Sequence, residues 1–105
     1  MQSIARIRRY LALRNERRAA RRALDDAKQE AGAKACRHFE ATNGRQAMGF
    51  HVLAASPSEI VVRVMYFTNH IPPDRAWYAV PRDGETPPRE LAWTDVAGLE
   101  PGPWR

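Results

Sequence analysis

From residue 3 to about residue 40 the chain is composed for a helix. Ala, Arg, Leu, Lys and Glu dominate, no proline interrupts, and Gly32 is the single glycine. Apolar positions recur at three- and four-residue spacing, but in two phases. Ile4, Ile7 and Leu11 mark one face. Leu13, Ala20, Leu24, Ala27, Ala31 and Ala35 mark a nearly opposite one, with Phe39 at its edge. Two structures accommodate the switch. One is an unbroken helix that buries different faces along its length. The other breaks near residue 14, where Asn15 would cap a second helix and Glu16 would sit in its first turn. The lack of Pro or Gly before Gly32 favours the unbroken helix. Ser3 is the expected N-cap, and Thr42-Asn43-Gly44 the expected C-terminal stop.

Beyond Gly44 the period shortens to two. Residues 46–55 alternate, with Met48, Phe50, Val52 and Ala54 on one side and His51 and Leu53 on the other. Ser56-Pro57-Ser58-Glu59 is a tight connection. Residues 60–67 are β-branched and aromatic and are apolar on both faces except at Arg63, which predicts a central strand. Residues 68–75 form a loop with Pro72-Pro73, residues 76–80 a third strand, and Arg82-Asp83-Gly84-Glu85 a hairpin turn. Pro87-Pro88 delays a short fourth strand to about residues 90–93. Thr94-Asp95 could then cap one helical turn over Val96 and Ala97.

The order predicts an α+β fold: a long basic N-terminal helix, unbroken or broken near residue 14, packed on an antiparallel meander of three to four strands. A chain of 105 residues supports one modest core, so residues 1–105 are expected to form a single domain. Its expected parts are a helical arm at 1–42, a sheet at 46–95 and an extended tail at 96–105. Close packing of helix on sheet follows from the small Ala side chains of the second helical face.

Composition narrows the function classes. At 44% hydrophobic and 28% charged, the chain has the balance of a globular domain and not of a disordered one. No apolar run approaches the ~18 residues of a membrane span. One cysteine excludes an internal disulfide framework. A basic start lacks the apolar segment of a secretory signal, and together with the lone thiol this points to a reducing, cytoplasmic setting.

Charge is segregated. Residues 1–40 hold eleven Lys/Arg and five Asp/Glu, a balance of +6; residues 41–105 hold six and seven, a balance of −1. Eight arginines (Arg6, Arg8, Arg9, Arg14, Arg17, Arg18, Arg21, Arg22) fall within seventeen residues, opposed only by Glu16. Arg binds phosphate bidentately, and several such contacts give salt-sensitive affinity without sequence readout. The eight spread around most of the helix, which weighs against base reading from one face. The competing explanation is compositional. Fifteen Arg against two Lys, with seventeen Ala, is what GC-rich coding also yields, and the arginines would then only solvate the helix.

Other chemistry is sparse. His38, His51 and His70 have no metal-ligand spacing, and Cys36 with His38 would supply two ligands facing apart. His70 and Asp74 share a loop and could form the base half of a hydrolytic site, but no nucleophile accompanies them. Ser56 and Ser58 lie in a Pro turn, and Cys36 is expected as a passive surface thiol. Asn43-Gly44-Arg45-Gln46 is too short and too poor in glycine to cradle a phosphate. Of the aromatics in the last third, Trp77 or Tyr78 is expected to fill the core, and Trp104 to be exposed or folded over the sheet edge.

These readings converge on a non-enzymatic binding protein without metal, cofactor or small-molecule substrate. Its basic helix is expected to dock on nucleic acid or a nucleoprotein complex through Arg14, Arg17, Arg18, Arg21 and Arg22. The alternative is a protein–protein module, either a homodimer or a small inhibitor or adaptor, that uses the Ile4, Ile7 and Leu11 face. A basic amphipathic helix can also lie on anionic lipid, but three aliphatics make a small apolar face and rank this lower.

Overall fold

The computed structural model describes residues 2–69 and 73–101. A single helix, α1 (Gln2–Asn43), precedes a four-stranded antiparallel sheet of β1 (Ala47–Ala55), β2 (Glu59–Tyr66), β3 (Asp74–Pro81) and β4 (Arg89–Leu91). The strands lie in sequence order, and a short helix, α2 (Trp93–Val96), follows. The fold is α+β, with the long N-terminal helix packed on the sheet. The helix does not break near residue 14. It starts at Gln2, so Ser3 lies inside it instead of capping it.

Its C-terminus closes as expected. Gly44 takes a φ of 66°, and its N–H donates to the Glu40 carbonyl at 3.0 Å. Thr42 Oγ1 donates to the His38 carbonyl at 2.9 Å, and Asn43 Nδ2 to the Phe39 carbonyl at 3.0 Å, covering orphan acceptors of the last turn. Glu40 Oε2 accepts the Ala47 N–H at 3.0 Å, which ties the helix end to the start of β1.

Cross-strand register sorts the sheet into two faces. Ile60↔Val80, Val62↔Tyr78 and Val64↔Ala76 face α1, joined from β1 by Phe50 and Val52. With Ala31, Ala35 and Phe39 from the helix they form the core. Each large side chain fully buried there contributes about 1.5–3 kcal/mol. Helix and sheet approach closely at Gly32, where a Cβ would stand 2.1 Å from the Phe50 ring. Of the adjacent pair Trp77 and Tyr78, Tyr78 enters the core.

The expected alternation in β1 fails at two irregularities, between Ala47 and Gly49 and between Val52 and Ala54. Met48 therefore leaves the helix-facing set and is exposed, and Ala54 pairs with Val61 on the opposite face. A bulge adds one residue to one strand, so the side-chain phase reverses beyond it.

The second face carries Val61, Arg63 and Met65 of β2 opposite Ala79, Trp77 and Arg75 of β3. The chain after β4 returns over it. Residues 96–105 were expected as an extended tail, but Val96 ends α2 and is fully buried. The N–H groups of Leu99 and Glu100 both donate to the Val96 carbonyl, at 2.8 and 3.0 Å. The helical turn is capped at Ala92, two residues before Thr94: the Asp95 carboxylate accepts the Ala92 N–H at 2.8 Å. Trp104 lies outside the described residues.

Candidate functional site

The structure divides α1 into two halves. From Leu24 onward, residues at three- and four-residue spacing are buried or half-buried against the sheet, whereas every residue from 3 to 23 is exposed. Length explains the division. A helix of 42 residues is about 63 Å long, and a strand of eight or nine spans about 30 Å. The longest extent of the molecule is 68 Å, and the helix sets it. About 30 Å of helix therefore projects beyond the sheet as an arm.

On this arm stand all eight arginines singled out from the sequence, with Glu16 as the single acidic residue among residues 3–23. Because the helix is unbroken, its phase is fixed at about 100° per residue. Arg14, Arg17, Arg18, Arg21 and Arg22 then fall within an arc of about 140°. Arg6, Arg8 and Arg9 lie elsewhere around the axis. The opposite side of the same stretch carries Ala12, Glu16, Ala19, Ala20 and Ala23. The first turn holds no acidic residue to meet the positive end of the helix dipole.

Along the arginine arc the arm repeats one charge at neighbouring positions. Arg14–Arg18, Arg17–Arg21 and Arg18–Arg22 are i, i+4 pairs; Arg14–Arg17 and Arg18–Arg21 are i, i+3 pairs. Each such pair costs a few tenths of a kcal/mol in an isolated helix, roughly 0.2–0.5. An anionic surface laid along the arc would turn that repulsion into attraction.

Ile4, Ile7 and Leu11 are also exposed, at 57%, 57% and 46%, and lie on the same side as the arginine arc, nearer the tip. Tyr10 stands beside them, 64% exposed.

The remaining candidate chemistry disperses. His70 lies outside the described residues. Asp74 opens β3 and lines a polar cleft of about 380 Å³ with Asn43, Arg45, Tyr66, Thr68, Asn69 and Phe39. Among the described residues no Ser or Cys nucleophile lines it. His38 stacks edge-on against Tyr78, with ring centroids 5.6 Å apart. Cys36 is half-buried and packs against the core, a correction to its expected surface position. Burial, and then the Glu40 charge, raises its thiol pKa and so disfavours the reactive thiolate. Among the described residues no group of three or more His, Cys, Asp or Glu could hold a metal ion, and no helix is long and apolar enough to cross a membrane.

One buried polar cluster was not anticipated. Arg63, 5% exposed, meets Glu100 with Nη1 2.6 Å from Oε2, and Trp77 Nε1 donates to Glu100 Oε1 at 2.6 Å. Arg63 alone gave a signal in the sequence, as a charge within the best strand. Its partner lies too far along the chain for any local pattern to indicate.

No known protein family matches the chain, and no curated protein or solved structure is significantly similar to it.

Proposed function

We propose that this is a small non-enzymatic binding protein whose N-terminal helical arm docks on nucleic acid or a nucleoprotein complex. The observation that carries the reading is the projection of residues 3–23. They hold eight arginines and one acidic residue, and they are exposed throughout. Arginines that served only to solvate a packed helix would flank a buried stripe, and this stretch has none. Arg14, Arg17, Arg18, Arg21 and Arg22 provide the contacts to nucleic acid, and the sheet anchors the arm's base.

The test is fluorescence anisotropy with labelled DNA and RNA across a salt titration, run beside a variant with Arg17, Arg18 and Arg21 changed to Glu. Binding at physiological salt that disappears in the variant is the expected result. Equal affinity of both proteins would refute the reading.

A second reading has its own support. Ile4, Ile7 and Leu11 follow the i, i+3, i+7 spacing of helices that enter apolar protein grooves, and they are exposed on the arm. Charge argues against a second copy of the arm as the occupant, since two arms side by side would oppose eight arginines with eight more. Sedimentation equilibrium tests this directly. A dimer dissolved by Ile7→Glu would restore the homodimer, and a monomer leaves a heterologous protein groove as the form of this alternative.

A further inference from the structure

We infer that the arm's partner is duplex DNA, entered at the major groove and held by phosphates on both walls. The inference rests on the reading that the arm docks nucleic acid, and specifies which kind. Three features of the arm separate duplex DNA from the other nucleic acids.

The first is the arc. Arg17 and Arg22 lie at its two margins, about 140° apart around the axis, with Arg14, Arg18 and Arg21 between them. With the middle of the arc facing a groove floor, the two marginal arginines point toward opposite walls. Arg suits this placement, because its fork pairs bidentately with phosphate oxygens.

The second is size. A helix with its side chains is about 10–12 Å across, and the major groove of B-form DNA is about 12 Å wide. The major groove of an RNA duplex is deep and too narrow for side chains to read. The stretch from Arg14 to Arg22 rises about 12 Å along the axis, and neither its Ala side nor any tertiary contact adds bulk. The arm's alanines thus keep the back of the helix slim where the groove walls close around it.

The third is the scarcity of rings. Single strands are held by successive bases stacked on aromatic side chains. Residues 11–38 contain no Phe, Tyr or Trp, and Tyr10 is the one such residue among residues 3–23. A lone ring is no stacking platform. The arc also carries no Gln or Ser, so contacts to base edges fall to Arg14, Arg18 and Arg21, which face the groove floor.

The two wall contacts of Arg17 and Arg22 predict a log–log salt slope of about −1.8, a loss of roughly 12-fold in affinity between 50 and 200 mM salt.

The experiment uses the intact protein and a fluorescein-labelled 20-base-pair DNA duplex, the RNA duplex of the same sequence, and the single strands of each. Two charge-matched variants are compared, Arg17→Glu/Arg22→Glu at the arc margins and Arg8→Glu/Arg9→Glu outside the arc. Both alter exposed positions, and equal melting temperatures verify that both fold. The expected result is at least tenfold tighter binding to duplex DNA than to the other three ligands, with the margin variant weakened at least tenfold more than the control variant. Equal affinity for all four ligands, or equal weakening by both variants, overturns the groove assignment and leaves the general reading standing. No binding to any of the four overturns both.

Discussion

Arg63 and Glu100 are 37 residues apart in sequence, yet Nη1 and Oε2 meet at 2.6 Å with the Glu100 side chain fully buried. Glu100 divides its two oxygens between Arg63 and the indole N–H of Trp77, which is the cross-strand neighbour of Arg63. Trp93 packs beside Trp77 with ring centroids 5.6 Å apart, and Val96 is buried on the same return of the chain. One carboxylate therefore fastens the C-terminal segment to the second face of the sheet.

Glu100→Gln keeps the shape and one acceptor but removes the carboxylate charge that faces Arg63. Breaking a buried pair from one side costs about 3–5 kcal/mol. Urea denaturation should show a loss of that order, with Trp fluorescence reporting release of the segment. The double change Arg63→Met/Glu100→Leu should lose much less than the two single changes summed. A loss under about 0.5 kcal/mol for Glu100→Gln, the scale of an ordinary surface substitution, would contradict the fastening role.

Gly32 meets Phe50 where α1 crosses β1, and the 2.1 Å separation of a built Cβ from the ring leaves no room for a methyl group. Gly32→Ala gains helix propensity of about 0.8–1.0 kcal/mol. The overpacked ring costs about 1–3 kcal/mol and wins. A net fall in thermal midpoint is expected, with partial recovery in Gly32→Ala/Phe50→Leu. A higher midpoint in the single variant would show that the ring moves aside freely.

The Tyr78 hydroxyl is buried without a hydrogen-bond partner, while Thr42 and Asn43 above it donate to carbonyls of their own helix. Burial, reinforced by the Glu90 charge, raises its pKa above the ordinary phenol value. The folded state then holds the proton more tightly than the unfolded one. Stability from this group is complete below the unfolded pKa near 10 and declines as pH rises toward the folded value. Tyr78→Phe should remove that alkaline decline. Parallel alkaline profiles for the two proteins would show that Tyr78 is not the titrating group.

Asp83 organises the turn between β3 and β4. Its carboxylate accepts the Glu85 and Thr86 N–H groups, both at 2.9 Å, and the Thr86 hydroxyl. These bonds lower its pKa from 3.8 to about 2. The sign is opposite to that of Tyr78: the contribution is present above the unfolded value and is lost as pH falls toward about 2. Asp83→Asn should flatten the part of the acid stability profile that lies between those values. An Asp83 carboxyl resonance titrating near 3.8 by NMR would refute the assignment.

Local pattern determined the secondary structure. Helix propensity without a breaker specified α1, Asn43-Gly44 stopped it, and β-branched runs separated by Ser-Pro and Asp-Gly turns specified the meander. These are short-range effects, readable wherever neighbouring residues alone decide the backbone. The arginine cluster was equally legible, although the alignment of five of its members on one arc required a helix without a break. Tertiary structure alone decided three things. The bulges in β1 reversed the phase of Met48 and Ala54, because register depends on the partner strand. Glu100 found Arg63, because a buried charge selects its partner by proximity in space. Finally, the sheet is only about half as long as α1, so one half of the helix became core and the other an uncovered basic arm.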